Sequence, residues 1–396
     1  MEEKICFFED LGMPIEAITW QIVLQDGDKK EKEVEDEYSE IDSNCYRKRT
    51  YFSGGSGIEI ELALEKDGDD ALHLAGKIKN IGKRQLTINR VTLLKSKSSG
   101  PAFGDLVFFR QGWQSWSATG SFRSGEADKD PFTGIARLAA VDPANRSPGK
   151  PGSFTSDMYA ILKNKEEDVS LLLGALQCQR FFTSVYFTRG SWGRLNPGVE
   201  LRVDTDGLRV MPGETVDFEP HVIFRGDAEE IHKRYLNMVG EKMNARCPEK
   251  APAGWCSWYY YYQNITEKEV LKNLGYLSRN KDRLPLDVVQ IDDGYQEELG
   301  DWLKPNEKFP SGMKSLADQI RGRGFTPGIW LAPFLFSEDS RFYHDNHNWY
   351  ILNKKGFPLR ALLNPDWGAT KKIFALDMTR PQAQEHLYNV IKTVVW

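Results

Sequence analysis

The chain has 396 residues, enough for two domains with separate cores, and its 40% hydrophobic and 28% charged content is that of an ordinary soluble globular protein. A formal net charge of −5 gives no reason to expect nucleic acid or an anionic membrane as partner. The acidic start "MEEKICFFEDLG" lacks the basic and apolar regions of a secretion signal, and no apolar run approaches the ~20 residues that span a bilayer.

Up to residue 225 the chain reads as β. Runs such as "GIEIELALEK", "LTINRVTLLK", "VSLLLGAL", "FFTSVYF", "VELRVD" and "TVDFEPHVIF" are rich in β-branched and aromatic residues, and turn signals such as "EKDGDD", "NPG" and "MPGE" separate them. This spacing predicts a large antiparallel sandwich over residues 1–225. Residues 226–253 read as a helix and linker, with Asp227 as N-cap and Glu230 completing a capping-box pattern.

From Gly254 the pattern changes to alternating strand and helix. "WCSWYYYY", "LDVVQI" and "TPGIWLAPF" read as strands, the second buried on both faces. "TEKEVLKNLGYLSR", "SGMKSLADQIRGRG" and "TRPQAQEHLYNVIKTVVW" read as helices, the last capped by Thr379 and apolar along Leu387, Val390, Ile391, Val394 and Val395. Sequential units of this kind build a parallel sheet, most often an eight-stranded barrel. Residues 254–396 therefore read as the first three β/α units of an incomplete (β/α)8 TIM barrel, ending before strand four, and the chain as the N-terminal part of a longer enzyme.

Five scattered cysteines and six dispersed histidines show no zinc-type spacing, so free thiols in a reducing cytoplasm are expected. Eleven tryptophans, several of them in Gly/Ser-rich stretches, suit the apolar faces of sugar rings as well as a core.

The densest chemistry lies in "LDVVQIDDGYQEELGDWL". Neighbouring residues of a strand point to opposite faces, so Asp292 and Asp293 cannot face each other across a scissile bond while in strand geometry. The stretch also offers too few oxygen ligands for a hard cation. Where a strand opens into its loop, two aspartates can instead accept hydrogen bonds from neighbouring hydroxyls of one ring; otherwise they cap the turn at Gly294. On the first strand alternation turns either Trp255 or Trp258 to the barrel interior and the other to the helices, and that indole, with Trp330 of the third strand, would give such a pocket apolar walls.

In this order, "GWCSWYYY", "QIDDGYQ", "GDWL", "KFPSGMKSLA", "GIWLAPF" and "ALDMTRP" resemble glycoside hydrolase family 36, the α-galactosidases or melibiases, and "GWQSWS" at residues 112–117 is similar to the family's N-terminal domain. The resemblance implies a β-supersandwich followed by a (β/α)8 barrel. It also implies retaining hydrolysis of terminal α-linked galactose, as in melibiose or raffinose, without metal or organic cofactor. It assigns sugar binding to Asp292, Asp293, Trp258 and Trp330, with a tryptophan of "GWQSWS" reaching over the mouth, Trp116 in preference to Trp113. The family's nucleophile and acid/base are aspartates on later strands. Asp287, Asp301, Asp366 and Asp377 match neither motif, so no catalytic residue is assigned and the chain alone is expected to be inactive. Rival readings are a galactosyltransferase of the raffinose-synthase type and a non-catalytic sugar-binding fragment. The expected partner is a galactose-containing oligosaccharide, with a homo-oligomer possible for the full-length enzyme.

Overall fold

The computed structural model describes residues 15–26, 32–37, 45–53, 56–98, 105–112, 117–127, 149–189, 198–353, 355–362 and 372–395. The chain divides into two compact units, Met1–Arg246 and Cys247–Trp396.

Strands of the first unit are β1 (Ile15–Asp26), β2 (Lys32–Glu37), β3 (Cys45–Ser53), β4 (Ser56–Asp67), β5 (Ala71–Asn80), β6 (Leu86–Ser98) and β7 (Leu106–Arg110). They continue as β8 (Gly120–Arg123), β9 (Ser153–Asp157), β10 (Tyr159–Asn164), β11 (Val169–Ala175), β12 (Phe182–Thr188), β13 (Gly198–Val210) and β14 (Thr215–Gly226). They form two antiparallel sheets, β2-β1-β6-β13-β12-β9 and β3-β4-β5-β14-β11-β10-β7-β8. Alternation supplies the core between them. On β13, Val199, Leu201 and Val203 turn inward while Glu200 and Arg202 remain partly exposed. From the facing sheet come Ile58, Ile60 and Leu62 of β4 and Leu171 and Leu173 of β11. Phe108, Phe154 and Phe187 form a triangle of mutual ring contacts, with centroids 5.2, 6.1 and 6.0 Å apart.

The continuous apolar run of β11 has a second cause. Leu171 and Leu173 serve the sandwich, but Leu172 faces helix α1 (Ala228–Lys242), where it packs with Ile231 and Tyr235. The Tyr235 hydroxyl donates to the Ala175 carbonyl at 2.6 Å. Asp227 caps α1 as its sequence predicts, accepting from the Glu229 and Glu230 amides at 2.9 and 3.2 Å. The helix is thus part of the first unit's packing.

A buried histidine makes this unit acid-sensitive. His221 of β14 is enclosed, with Nε2 2.7 Å from the Thr183 hydroxyl, and burial pushes its pKa from 6.5 down to about 4. Below 6.5 the unfolded chain takes up a proton that the folded chain refuses, so stability is full above that pH and falls as pH drops towards 4. The loss is on the order of 3 kcal/mol. Urea unfolding at pH 7 and pH 4.5 should show it, and His221→Gln should remove this component. An unchanged pH difference in that variant would show that other groups cause it.

In the second unit, β15 (Gly254–Cys256), β16 (Val288–Ile291) and β17 (Thr326–Ile329) form a parallel sheet in that order. Val289 and Ile291 pack against helices α3 (Glu267–Arg279) and α4 (Gly312–Gly322) through Val270, Leu274, Leu316 and Ile320. Thr266 caps α3 by accepting from the Glu269 amide at 3.2 Å.

Three expectations are corrected here. "WCSWYYYY" is a strand only to Cys256; Trp258–Tyr261 form the short helix α2, lying between β15 and α3. Ser257 is already in the helical region, and the tyrosines that follow have no sheet neighbour to exploit their β propensity: Tyr259 is 84% and Tyr260 79% exposed. "TPGIWLAPF" is likewise a strand only to Ile329. Leu335–Ser337 (β18) joins a separate antiparallel sheet with Arg360–Leu362 (β19) and Ile373–Ala375 (β20), in the order β18-β20-β19. A five-residue helix, α5 (Arg341–Asp345), lies in the same stretch. The last helix, α6, spans Pro381–Val395, and the Thr379 hydroxyl turns back to Asp377 Oδ1 at 2.6 Å instead of capping it. Along α6, Val390 is buried, Leu387 and Val394 are half-buried, and Ile391 and Val395 are exposed.

Candidate functional site

Because β15, β16 and β17 are parallel, the residues that follow them lie along one edge. Cys256 pairs with Gln290 and Ile291 with Ile329, and the ladder continues through the Ser257 amide to the Gln290 carbonyl and the Trp330 amide to the Ile291 carbonyl, at 3.2 and 2.9 Å. Asp292 therefore follows the middle strand, with Trp330 beside it in register and Trp258 beyond the end of β15. The C-terminal edge of a parallel sheet is where such folds build ligand sites.

Side-chain alternation sorts the polar groups. Val289 and Ile291 face the helices, so Gln290 and Asp292 share the opposite face. Gln290 Nε2 donates to Asp292 Oδ2 at 2.9 Å, and the Cys256 thiol lies 3.3 Å from the same oxygen. Burial, together with the bond to Asp292, pushes the Cys256 thiol up, so it remains an S–H donor at neutral pH. The Ser257 hydroxyl accepts from the Asp292 amide, and Asp292 Oδ1 from the Asp293 amide, both at 2.9 Å.

Asp293 turns elsewhere. Gln263 Nε2 donates to its Oδ2 at 2.9 Å and Gln296 Nε2 to its Oδ1 at 2.6 Å. Both carboxylates are largely enclosed, Asp292 at 8% and Asp293 at 1% exposure. A polar cavity of about 180 Å³ adjoins Asp293 and is lined also by Gln263, Gln296, Glu298, Asn306 and Lys308. Asp292, Trp258 and Trp330 are not among its lining residues. Lys308 Nζ donates to the Gln263 carbonyl; burial pushes the ammonium down while the Asp293 charge opposes that shift. Asn306 Nδ2 ties the loop by donating to the Gly294 and Gln296 carbonyls at 2.9 and 3.0 Å.

Trp255 belongs to the helix-side core, whereas Trp258 packs edge-on to Tyr262 at 5.3 Å. Trp330 packs edge-on to the buried Trp302 at 5.8 Å. Trp113 and Trp116 lie outside the described residues. The other aspartates considered have structural partners. Asp287 accepts from the Ala253 amide at 3.0 Å, and Asp301 from the Arg341 and Phe342 amides at 2.9 and 3.0 Å at the start of α5. Asp377 accepts from the Thr379 amide at 3.1 Å and from Arg380 Nε at 3.2 Å. Asp366 lies outside the described residues. Among the described residues no cluster of histidine, cysteine, aspartate or glutamate is arranged to hold a metal, and no helix is long and apolar enough to cross a membrane.

Sequence reasoning missed the amides. Gln290 stands two residues before Asp292, so alternation alone places it on the same face. Gln263 gave no signal, because it is brought to Asp293 by the return of α3 and β16 to the sheet.

Residues 230–396 match the melibiase family model. The α-galactosidase AgaA of Geobacillus stearothermophilus is 27% identical over 156 residues, covering 36% of this chain and 20% of that protein. The solved α-galactosidase of Thermus thermophilus, in complex with p-nitrophenyl α-D-galactopyranoside, is similar with a TM-score of 0.60 and 27% identity, over 88% of this chain and 61% of that one. The family 36 α-galactosidase AgaB of Geobacillus stearothermophilus shares the fold over 94% of this chain and 52% of its own, with a TM-score of 0.58 and 15% identity. The chain thus spans less than two thirds of these relatives. Its resemblance to glycoside hydrolase family 36 holds across the motifs from "GWCSWYYY" to "ALDMTRP".

Proposed function

We propose that this relative of the family 36 α-galactosidases contributes the galactose-holding part of an enzyme that hydrolyses terminal α-linked galactose with retention. The observation that carries the reading is the shared strand edge, where Asp292 and Asp293 follow the strand between those that lead to Trp258 and Trp330. Indole faces suit the apolar C–H side of a sugar, and carboxylates suit its hydroxyls. The likeness to a Thermus α-galactosidase solved with an aryl α-galactoside supports galactose as that sugar.

The three parallel strands are proposed to be the first of a (β/α)8 barrel. The reaction would be a double displacement. A carboxylate attacks the anomeric carbon as a second carboxyl group protonates the departing oxygen; the second group, now a base, then deprotonates the water that cleaves the galactosyl ester. Asp287, Asp301 and Asp377 are committed to local hydrogen bonds, which supports placing the catalytic pair on polypeptide outside these 396 residues.

The test is turnover of p-nitrophenyl α-D-galactopyranoside by the 396-residue chain and by the complete enzyme, with the first-formed anomer read by NMR. Turnover by the complete enzyme alone, releasing α-galactose first, is expected. Hydrolysis by the 396-residue chain would overturn the placement of the catalytic pair, and β-galactose as first product would overturn retention. Transfer to sucrose in preference to water would reassign the enzyme as a galactosyltransferase.

A further inference from the structure

Asp292 and Asp293 adjoin in sequence, yet the donors that meet them differ in origin. Gln263 and Gln296, which donate to Asp293, lie outside the three parallel strands. Gln290, which donates to Asp292 Oδ2 at 2.9 Å, belongs to β16 itself. Its ladder partner on β15 is Cys256, whose thiol donates to the same oxygen at 3.3 Å. Gln290 Nε2 also donates to the Cys256 sulfur at 3.6 Å, so amide, thiol and carboxylate contact one another in pairs. On the other side the ladder partner of Gln290 is Gly328 of β17, which brings no side chain into the row. The Asp293 amide meets Asp292 Oδ1, and the Ser257 hydroxyl accepts from the Asp292 amide.

We infer that Gln290 and Cys256 are positioning residues, a cross-strand pair that sets the orientation of the Asp292 carboxylate for the sugar. The last torsion of an aspartate side chain is broad, so its carboxylate turns easily unless donors hold it. Donors carried by paired strands hold it more rigidly than donors on loops, and ordering it in advance lowers the cost of binding. At neutral pH the Cys256 thiol keeps its proton, so it donates to the carboxylate and does not repel it. This inference rests on the proposed function, since the orientation matters to turnover only if Asp292 meets the substrate.

Gln290→Met keeps side-chain length and removes the amide; Cys256→Ala removes the thiol, and Cys256→Ser restores an O–H donor. In the complete enzyme Gln290→Met should lower kcat/KM for p-nitrophenyl α-D-galactopyranoside about 10- to 100-fold and Cys256→Ala about 3- to 30-fold. Cys256→Ser should lie closer to the parent than to the alanine variant. The loss should appear in KM more than in kcat, at unchanged folded fraction by circular dichroism. In the 396-residue chain, Gln290→Met should also accelerate hydrogen exchange at the Asp293 amide, which the Asp292 carboxylate holds. A reduced folded fraction with unaltered KM of the remaining enzyme would mean a purely structural role and overturn the inference. Unchanged kinetics in folded Gln290→Met enzyme would overturn it while sparing the function, whatever the exchange shows. A serine variant as impaired as the alanine variant would overturn the thiol's part as donor. Absence of α-galactoside turnover in the unsubstituted enzyme would overturn the function and the positioning role with it.

Discussion

Asp293→Ala should reduce kcat/KM of the complete enzyme for α-galactosides by about 10²- to 10⁴-fold, the largest effect on activity expected from any residue of this chain. On the proposed function the substitution removes an acceptor for a substrate hydroxyl, and it takes the carboxylate partner away from two amides, Gln263 Nε2 and Gln296 Nε2. A hydrogen bond to a charged group contributes about 1.5–3 kcal/mol, and the lost partner of a buried donor costs about 1–3 kcal/mol. The cavity of about 180 Å³ beside the site is polar, so water can reach the freed amides and limit the cost to folding. Activity should therefore fall by orders of magnitude while the variant still unfolds cooperatively. Asp293→Asn should sit between alanine and the parent, since it keeps one acceptor oxygen but sets an amide against an amide. Steady-state kinetics with p-nitrophenyl α-D-galactopyranoside, alongside urea unfolding, separates the two contributions. Kinetics equal to the parent's in a folded Asp293→Ala enzyme would remove Asp293 from the substrate site.

What could be read without coordinates depended on how local its cause was. Val199, Leu201 and Val203 announce a strand because the pleat itself sets their period. Leu172 gave the run "VSLLLGAL" its double-sided character, but that it faces Tyr235 of α1 required the fold. Asp227 could be identified as a cap because its partners are two and three residues away. Thr379 could not be ruled out as one, because its competitor for the hydroxyl, Asp377, lies just upstream and offers the same chemistry. In the tyrosine run, composition favoured a strand, whereas the Ser257 side chain, engaged with the Asp292 amide, marks where the chain leaves the sheet. The three-residue strands β18, β19 and β20 are too short to carry a period at all. At the site, "DDG" was visible as a strand end. That Asp292 looks to Cys256 and Gln290 while Asp293 looks to Gln263 and Gln296 depends on which loops are folded back upon it.

The same neighbourhood yields the largest expected loss of stability in the second unit, Gly294→Ala. Gly294 has φ +111°, a backbone conformation that L side chains rarely adopt. A Cβ there would stand 2.6 Å from the Gln263 carbonyl oxygen, 2.8 Å from its Cα and 2.9 Å from its carbonyl carbon. All three are main-chain atoms, and Lys308 Nζ holds the same carbonyl from another direction, so relief by a side-chain rotation is closed off. Backbone strain of this kind costs about 1–3 kcal/mol and forced overpacking a similar amount, so a loss on the order of 3–5 kcal/mol is expected. The displacement would also carry Gln263 away from Asp293, so that the carboxylate loses the Gln263 Nε2 donor along with the fold's tight approach. Urea unfolding followed by tryptophan fluorescence should show this unit melting earlier than the sandwich, which retains its own core. A stability loss below about 1 kcal/mol would mean that the loop relaxes freely, and the rigid coupling of Gln263, Gly294 and Asp293 would then be wrong.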